Sequence, residues 1–554
     1  MKPAPRTVFS TRSPHGRLRW TVQAVACATF VSLFALTTYP YVRSIPYGVF
    51  QKFDPLTALA AARGAGVWLV IALATILVTL LAGRVFCSYF CPLGFLIDLA
   101  DLTIGTGRTN GPASDEQGGP ARSQGGEAER KSTSRRGRES FPKARHIKYW
   151  VLGALCAGTL AGTSALLVLD PLSLLTRVLT VVAYPLWAAC AGFIVTTIGP
   201  LAERLGWTAL AYTSAAQPVF QTALANLVML VLLLGLGVLS ARFWCRYLCP
   251  LGALLGIFSR RSLVKRRVTD ACIRCGRCAR ACPMDAVGED PRATIFPECI
   301  ACEACLRVCP VDAIAFRPSI PAAGPPAVPA WEASKRGLSR RGFLGGVGLG
   351  VCLAVVTRAN PESVGRASRL IRPPGAIPEP EFLAACVRCG LCVRSCLTHT
   401  LQPAGMESGL LLWGTPVHVM RLAGCEQQCN LCGTVCPTGA IRDLPLRERQ
   451  HAKVGTAVIS QSRCVAWRRD QLCLLCDESC PYNAIVFRTV DGHKRPFVDE
   501  SRCNGCGMCE HVCPVEGEAA IVVYRDGEVR IREGSYVEVL RQRRITLQPQ
   551  QDRL

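Results

Sequence analysis

The sequence lacks the signatures of most cofactors and most enzymatic reactions. No C-x-x-C-H stretch for covalent haem is present, and the long apolar runs contain no His that could ligate a membrane haem. Phosphate-binding loops, hydrolase elbows and zinc-protease motifs are absent as well. Gly346, Gly348 and Gly350 have the wrong spacing for a dinucleotide-binding loop, and no strand precedes them. The sequence therefore shows no haem, flavin or NAD site and no catalytic residues.

Charged residues are scarce, and acidic residues are the scarcer kind. Charged side chains make up 18% of the 554 residues, with 39 Asp and Glu against 63 Lys and Arg, a formal net charge of +24. The basic residues gather beside apolar segments, as the cytoplasmic-side bias of membrane proteins places them, which argues against nucleic acid as a partner. With 50% hydrophobic residues, the chain is too apolar for an ordinary soluble protein.

Long uncharged runs predict an α-helical membrane domain over residues 1–258. Runs of spanning length lie at 20–42, 64–85, 149–169 and 222–241, so we expect about four spans in the lipid bilayer. A basic stretch precedes the first run and predicts a cytoplasmic N-terminus. Another run, 178–199, is interrupted by Pro185 and Gly192, and we expect it to be re-entrant or interfacial. Residues 104–146, rich in Gly, Ser, Arg and Glu, predict a cytoplasmic linker.

An internal repeat ends the second and fourth predicted spans. Each copy has an apolar helix followed by C-x3-C-P-L-G, once as FCSYFCPLG and once as WCRYLCPLG. Because basic residues at 259–267 follow the second copy, we expect both copies on the cytoplasmic side. The four thiols could ligate a metal together, exchange thiol for disulfide, or pack as small apolar residues. These cysteines are Cys87, Cys91, Cys245 and Cys249.

Other residues of the membrane domain receive structural interpretations. Arg84, Asp98 and Asp101 flank the first copy of the repeat. Charges at helix ends are usually interfacial, so we assign these residues no role. Four further cysteines occur singly in apolar runs and are expected to pack against neighbouring helices. They are Cys27, Cys156, Cys190 and Cys352.

Residues 259–317 carry the cysteine spacing of bacterial two-cluster ferredoxins. Two copies of C-x2-C-x2-C-x3-C-P begin at Cys272 and Cys299. Three cysteines in a tight loop can bind one face of a [4Fe-4S] cluster, while the fourth, before proline, ligates the other cluster. Structural zinc sites instead use paired C-x2-C knuckles separated by a long loop. We expect the ligand sets Cys272, Cys275, Cys278 and Cys309, and Cys299, Cys302, Cys305 and Cys282.

Four more groups of four cysteines follow between residues 377 and 518. Some depart from the regular spacing, since Leu397 replaces one proline and two groups open with three and eight intervening residues. In the group that opens like a radical S-adenosylmethionine motif, Cys436-Pro437 supplies a fourth ligand and argues against that chemistry. We expect four further [4Fe-4S] clusters, with neighbouring or nested ligand exchange left open. The groups are Cys386, Cys389, Cys392 and Cys396; Cys425, Cys429, Cys432 and Cys436; Cys464, Cys473, Cys476 and Cys480; and Cys503, Cys506, Cys509 and Cys513.

A paired arginine separates the two cysteine-rich regions. An Ala- and Pro-rich linker (318–338) precedes the motif SRRGFL, and residues 339–358 continue as an apolar run of signal length. This pattern resembles a twin-arginine export signal, and no small-x-small cleavage site follows it. We therefore expect a retained signal-anchor helix, with the four-cluster region and the polar tail at 519–554 in the periplasm.

Two known families resemble the two halves of the chain. The paired C-x3-C-P motifs before a two-cluster ferredoxin make residues 1–317 similar to the NapH/MauN membrane ferredoxins, relatives of NosR and CcoG. The four-cluster segment behind SRRGFL, about 336–518, resembles the NapG/MauM ferredoxins. The resemblance implies an inner-membrane quinol dehydrogenase module that draws electrons from the quinone pool. It also implies delivery to a periplasmic reductase or dehydrogenase, or to cytochrome c, in nitrate reduction or methylamine use.

Two other interpretations compete with this one. The chain could be a metalloenzyme assembly factor of the CcoG type, in which the four C-x3-C-P cysteines handle copper. It could also be a wholly cytoplasmic electron carrier, in which Arg340 and Arg341 have no export role.

Overall fold

An apolar helical domain and two cysteine-rich regions make up the structure. The computed structural model describes residues 14–37, 48–61, 66–104, 142–207, 218–288, 290–318, 340–359, 370–409 and 411–549. Most of the two predicted linkers and the basic N-terminal stretch lie outside these ranges, as do the side chains of Arg340 and Arg341.

The long apolar runs form helices, which satisfy their backbone hydrogen bonds internally, as an apolar environment requires. Short π-helical turns at Phe86–Phe90 and Leu179–Ala183 interrupt the helical pattern. The helices up to the first cysteine-rich region are α1 (Pro14–Ala35), α2 (Val49–Lys52), α3 (Pro55–Ala61), α4 (Gly66–Ala82), α5 (Pro92–Ile104), α6 (Ile147–Leu160), α7 (Pro171–Val178), α8 (Tyr184–Arg204), α9 (Ala223–Gly235), α10 (Phe243–Tyr247) and α11 (Pro250–Ser259).

Two helical stretches among the described residues are long and apolar enough to cross a membrane, Arg17–Ala35 and Pro171–Pro200. The second includes the run that we expected to be re-entrant. The helical path continues through Pro185, which lies in the first turn of α8, directly after the π-helical turn Leu179–Ala183. Leu69–Ala82 and Ala223–Val238 are shorter apolar helices. The four-span arrangement stays a prediction.

The cysteine-rich regions contain only short elements. In the first region, β1 (Val264–Val268) pairs antiparallel with β2 (Ile314–Pro318), with Val268 opposite Ile314. Two one-turn helices lie between them, α12 (Arg277–Arg280) and α13 (Ala304–Arg307). The long helix α14 (Arg340–Ala359) then leads towards the C-terminal region.

The C-terminal region is built in the same way, from antiparallel strand pairs and one-turn helices. The pairs are β3 with β4, β5 with β8, and β6 with β7. The elements are α15 (Glu379–Ala385), α16 (Leu391–Arg394), β3 (Leu401–Pro403), β4 (Pro416–His418), α17 (Leu431–Thr434), α18 (Leu446–Gln450), β5 (Thr456–Ile459), α19 (Val465–Arg468), α20 (Leu475–Glu478), β6 (Ile485–Val490), β7 (His493–Val498), α21 (Met508–His511), β8 (Ile521–Tyr524) and α22 (Tyr536–Gln542).

Helix α6 contacts both cysteine-rich regions, one at each end. In its first turn, Lys148 Nζ donates to Glu298 Oε2 of the first region at 2.5 Å, and both side chains are buried. Just beyond its last turn, the hydroxyl of Ser164 donates to the carbonyl of Cys386 in the C-terminal region at 2.7 Å. The two cysteine-rich regions therefore lie at opposite ends of the same apolar helix.

A stripe of glycines packs α14 directly against α6. A Cβ on Gly346 would lie 2.5 Å from the Trp150 carbonyl oxygen, and one on Gly350 would collide with the Ala154 carbonyl. Small residues at four-residue spacing allow such close approach of helices in apolar surroundings. Gly342 also meets Trp150, and Gly350 lies beside Gly158, so the two helices run in the same direction. The stripe accounts for two of the three glycines whose spacing does not fit a dinucleotide loop, Gly346 and Gly350, whereas Gly348 has no neighbour within 4 Å.

Buried arginines hold the C-terminal region on the apolar domain. Arg388 Nη1 donates to the Ser164 carbonyl at 2.6 Å. The guanidinium of Arg394 lies 3.7 Å from the centroid of the Tyr184 ring and donates to the carbonyl of Ala35 at 3.4 Å. Arginine suits this interface because its planar head both stacks and donates.

A buried carboxylate connects the start of the C-terminal region to its last segment. Arg372 and Arg530 each donate to Glu379 at 2.6 Å. Burial opposes the charge, but the two guanidiniums outweigh it and lower the pKa of the Glu379 carboxyl to about 2. Because this carboxylate is ionised throughout the physiological range, the ion pairs persist across it.

Leucine at Gly346 or Gly350 should separate α14 from α6, whereas Gly348→Leu should be tolerated. Overpacking typically costs about 1–3 kcal/mol, and Gly348 has no neighbour within 4 Å. The measurement is thermal unfolding of the detergent-solubilised protein. Equal melting temperatures for all three variants would contradict the packing of these helices.

Candidate functional site: thiol groups in both cysteine-rich regions

The regularly spaced cysteine motifs share one backbone turn. In the first motif, Arg274 and Gly276 have positive φ angles of 52° and 69°. Because non-glycine residues seldom adopt this conformation, it marks a constrained loop, and such loops turn successive N–H groups towards one side. Those N–H groups favour an anionic group inside the loop. The same two positions have positive φ in three other motifs: Ala301 and Glu303, Arg388 and Gly390, and Gly505 and Gly507.

The fourth cysteine of most motifs accepts a backbone hydrogen bond from a second turn. The N–H of Ala286 donates to Cys282 Sγ at 3.2 Å, just after Asp285, whose φ is 49°. The N–H of Ala484 donates to Cys480 Sγ at 3.3 Å in the same way. Such bonds stabilise the thiolate form, which is the form that binds metal. Equivalent bonds reach Cys309, Cys436 and Cys513.

In the first region, each motif places its fourth thiol with the other motif's three. One cavity is lined by Cys272, Cys275, Cys278 and Cys309. The other group surrounds Cys299: burial raises the pKa of this thiol, and the nearby thiols of Cys282, Cys302 and Cys305 raise it further. The thiols are therefore grouped in the two sets that we expected from the spacing.

The C-terminal motifs exchange their fourth thiols between neighbours, which the sequence left open. Burial raises the pKa of Cys389, and Cys436 and Cys386 raise it further. Burial likewise raises the pKa of Cys432, beside Cys425, Cys429 and Cys396. One cavity is lined by Cys464, Cys473, Cys476 and Cys513, and another by Cys480, Cys503, Cys506 and Cys509. The alternative, in which the two outer motifs exchange ligands around the two inner ones, does not occur in the described C-terminal region.

These cavities fit a group larger than one metal ion. Among the described residues, no three His, Cys, Asp or Glu side chains converge where they could hold a single ion. The thiols instead surround cavities whose other walls are mainly apolar, with Val268 and Ile314 in one and Ile459 and Val515 in another. Four thiols around a mainly apolar cavity are the arrangement that holds a [4Fe-4S] cluster.

A buried arginine contacts one thiol group directly. Arg449 Nη2 donates to Cys425 Sγ at 2.8 Å. Burial opposes the charge of Arg449, but the neighbouring Cys425 thiol outweighs it and raises the pKa of the guanidinium. A cationic donor on a cluster ligand raises the reduction potential of that cluster.

The four C-x3-C-P cysteines converge at the cytoplasmic-side end predicted for the repeat. Cys249 has the thiols of Cys245, Cys87 and Cys91 as electrostatic neighbours. Cys87 and Cys245 also pack against the small core of Met284, Ala286 and Ile300, which Cys282, Cys299 and Cys302 share. The quartet therefore adjoins a thiol group of the first region. Of the single cysteines, Cys27 and Cys156 are partly buried, whereas Cys190 and Cys352, which we expected to pack, are exposed.

Arg84, Asp98 and Asp101 are buried, with exposed fractions of 0%, 1% and 2%, and not interfacial as we expected. The first ferredoxin region covers Arg84, which donates to the Pro297 carbonyl at 2.9 Å. Arg242 donates to both carboxylate oxygens of Asp98 at 2.6 Å. Arg84 is buried because the first ferredoxin region sits on the end of its helix. Asp98 and Asp101 are buried within the apolar domain, where Arg19 and Arg242 donate to Asp98 and the backbone N–H of Arg242 donates to Asp101.

A second buried polar site lies at the opposite end of the apolar domain. Asp54 and Asp170 each begin a short helix, and their side chains meet with no exposed surface. Burial, and then the neighbouring carboxyl of Asp170, raise the pKa of Asp54 well above its usual value. A second carboxyl beside a buried one favours the neutral form of the first. Arg177 is an electrostatic neighbour of both Asp170 and Cys389, so the carboxyl pair adjoins a thiol group.

Three family descriptions match the chain. A 4Fe-4S binding domain matches residues 65–105, 222–269 and 432–452. Two descriptions of a 4Fe-4S dicluster domain match residues 266–316 and 471–516. The chain therefore contains 4Fe-4S ferredoxin domains.

Curated relatives come from methylamine and nitrate systems. The methylamine utilization ferredoxin-type protein MauM of Methylorubrum extorquens is 40% identical over 183 residues, 31% of this chain and 81% of that protein. MauM of Paracoccus denitrificans is 39% identical over 189 residues, 32% of this chain and 79% of its own. The ferredoxin-type protein NapG of Escherichia coli is 40% identical over 164 residues, 28% of this chain and 70% of its own. No solved structure matches the chain. Because each of these relatives is matched over more than two thirds of its length, the chain belongs to the NapG/MauM family of ferredoxin-type iron–sulfur electron-transfer proteins.

Proposed function

We propose that this chain joins a NapH/MauN-type membrane ferredoxin to its NapG/MauM-type partner and passes electrons from quinol to a periplasmic oxidoreductase. When bound, six [4Fe-4S] clusters would each take up and release one electron at a time. The observation that carries the proposal is the arrangement about α6, where one thiol-rich region lies at each end of an apolar helical domain. Such an arrangement suits a carrier that works at two sides of a membrane.

The cluster ligands in this proposal are the six thiol groups described above. Backbone N–H groups from Ala286, Ala313, Ala484, Ile441 and Ala520 lower the cost of burying the thiolates. Arg449 adds a charged donor to the group that contains Cys425. Neighbour exchange of the fourth thiol holds the members of each pair close together, as electron transfer between them requires.

The basic residues and α14 support an assignment of the two regions to opposite sides of the membrane. Basic residues at 259–267 would hold the first ferredoxin region in the cytoplasm. Helix α14 runs parallel to α6 and would carry the chain to the other side, so the C-terminal region would be periplasmic. The Arg340-Arg341 pair at the start of α14 supports export of that region after its clusters are assembled.

Quinol oxidation releases protons as well as electrons, and the Asp54–Asp170 pair is placed to receive them. The pair is buried beside Arg177, which adjoins both Asp170 and the Cys389 thiol. A carboxyl pair that holds one proton can accept a second proton from quinol as the quinol is oxidised. We therefore assign the proton acceptor of quinol oxidation to this pair, at the end of the apolar domain that contacts the C-terminal region.

The convergence of the C-x3-C-P cysteines supports a second candidate function, that of a CcoG-type assembly factor that handles copper. Copper bound at Cys87, Cys91, Cys245 and Cys249 in the purified protein, together with clusters that quinol does not reduce, would favour that function. Iron at the ferredoxin groups alone would not distinguish the two functions.

Iron analysis tests the cluster number and the neighbour exchange. The six groups should hold about 24 iron atoms per chain. Cys436→Ala should remove about four of them, those of the group with Cys386, Cys389 and Cys392. Cys352→Ala, at an exposed cysteine outside the groups, is the control and should lose none. A wild-type content of about 16 or less, in protein with matched sulfide, would contradict six clusters.

Mixing the anaerobic protein with a menaquinol analogue should bleach the cluster absorbance. Asp170→Asn should slow this bleaching at least tenfold by our estimate, because asparagine still caps its helix but cannot accept the proton. Reduction by dithionite is the control and should stay unchanged, since it delivers electrons without requiring this acceptor. Bleaching of the variant at the wild-type rate would remove the pair from the mechanism, and no bleaching of wild type would contradict quinol as the donor.

Reporter fusions test the two sides of the membrane. A phosphatase that is active only in the periplasm should be active when fused after Leu554 and inactive when fused after Pro318. A reporter active only in the cytoplasm should show the reverse pattern. Cytoplasmic activity at both positions would support the wholly cytoplasmic carrier.

A further inference from the structure

Two of the regular cysteine motifs have nearly the same sequence but opposite exposure. Residues 272–282 read CIRCGRCARAC, and residues 386–396 read CVRCGLCVRSC. In the second loop, 2% of the surface of Val387 is exposed. In the first loop, the matching Ile273 is 63% exposed, and Cys275 is exposed as well. The same loop face is therefore buried in the C-terminal region and open in the first region.

This face is also buried in the other two regularly spaced motifs. The residues that match Ile273 are Ile300 and Asn504, and both are buried. Ile300 packs in a small core with Cys87 and Cys245 of the apolar domain, and the side-chain amide of Asn504 donates to the Gln450 carbonyl at 2.6 Å. Each of these loop faces contacts another part of the chain, and the first motif is the exception.

The buried copy at residues 386–396 shows what such a face can bind. Arg388 Nη1 donates to the Ser164 carbonyl at 2.6 Å. The guanidinium of Arg394 stacks on the Tyr184 ring, 3.7 Å from its centroid. Arginines at these two positions thus bind oxygen acceptors and a ring on an opposing surface, for which a planar fork of donors is suited.

The exposed copy has the same two arginines and one more. Arg274 and Arg280 match the arginines of the buried copy, and Arg277 replaces Leu391. All three arginine side chains are exposed. The loop 272–282 contains no Asp or Glu that could balance them. A complementary surface should therefore be acidic.

The arginines surround an apolar edge of one thiol group. Ile273 and Val311 line the cavity of this group, and Val311 is 40% exposed. Arg280 Nη2 donates to the carbonyl of Cys275 at 3.5 Å, which places its charge beside the exposed cysteine. Asp312, which follows Val311, offsets one of the three positive charges. An apolar centre with a charged rim is the composition of a protein-docking surface.

The position of these residues favours a protein over a lipid surface. The thiol group that adjoins the apolar domain contains Cys299, which shares a core with Cys87 and Cys245. The cavity of the other group is lined only by residues between 266 and 314, all in the first ferredoxin region. The exposed loop face therefore belongs to the group that the apolar domain does not line.

We propose that Ile273, Arg274, Arg277, Arg280 and Val311 form a docking surface for an acidic one-electron carrier protein. The carrier loses one electron, which the first ferredoxin region receives at the adjoining thiol group, and no bond forms or breaks. The surface gives the chain a second electron entry besides quinol. The location of this carrier in the cytoplasm rests on the proposed function, whereas docking does not.

The test replaces two arginines by residues that other motifs of this chain already have. Arg274→Ala copies Ala301, which has a similar left-handed φ of 51°, and Arg277→Leu copies Leu391. The double variant should therefore keep its fold and its iron content.

The measurement is the rate at which the cluster absorbance bleaches when the anaerobic full chain in nanodiscs is mixed with the hydroquinone of an acidic flavodoxin. At low ionic strength, the double variant should be reduced about tenfold more slowly than wild type, because the lost charges slow encounter. Arg541→Ala with Arg543→Leu removes the same charge at exposed residues near the end of α22 and should change nothing. Reduced methyl viologen, a small cation that needs no docking, should reduce all three proteins at one rate.

Equal flavodoxin rates for wild type and the double variant, or an equal loss in the control variant, would overturn the proposal. Protection of residues 272–282 from hydrogen exchange in anionic-lipid nanodiscs, absent in zwitterionic ones, would assign the surface to lipid headgroups instead. A wild-type dimer that the double variant converts to a monomer would assign it to a second copy of this chain.

A low iron content of the double variant would indicate misfolding, and Arg277→Leu alone then decides the question. Slower reduction of this single variant by flavodoxin, with normal iron, would support docking, and an unchanged rate would contradict it. None of these readouts uses quinol, so failure of the docking surface and failure of the quinol donor are distinguishable.

Discussion

The exchange of the fourth cysteine between neighbouring motifs is the constraint on which both cysteine-rich regions depend. Their helices have mostly four residues and their strands three to six, which is too little to fold by local propensity or by burying a large core. Linking Cys309 to the first motif's loop, or Cys436 to the loop at Cys386, ties each motif to its neighbour. Folding of these regions is therefore expected to be coupled to ligation of their clusters.

The apolar domain in turn sets where these regions lie. Its helix α6 has a buried ion pair with Glu298 at one end and hydrogen bonds to Leu383 and Cys386 at the other. Because α14 packs on α6 through Gly346 and Gly350, the same pair of helices both separates the two regions and connects them. A single chain thus holds both regions in a defined geometry without an association step.

The sequence predicted the parts of the site that follow from local spacing. C-x2-C-x2-C loops and the proline after the fourth cysteine lead to the observed turns, because four thiols on one cluster leave few backbone paths. Which C-terminal motifs exchange their fourth cysteines depends on how distant segments pack. The spacing alone therefore could not distinguish exchange between neighbouring motifs from a nested arrangement. The glycines of α14 could be excluded from nucleotide binding, but their packing role required knowledge of the partner helix. The run at 178–199 was expected to be interrupted at Pro185 and Gly192, whereas the structure has a continuous helical stretch, Pro171–Pro200, with a π-helical turn just before Pro185.

The sequence was least informative about the charged residues that the structure buries. Arg84, Asp98 and Arg242 stand near helix ends, where solvent normally screens them, yet here they have almost no exposed surface. Burial of several arginines is tolerable only if carboxylates, carbonyls and thiolates lie within reach. At the quartet, the carboxylates present do not provide acceptors for all the nitrogens of Arg84, and at Asp54 and Asp170 two acids meet without an intervening base. Buried arginines occur at both ends of the apolar domain, Arg84 and Arg242 at one and Arg177 and Arg388 at the other. At each end, the carboxylates and thiols within reach therefore decide how much of that charge is compensated.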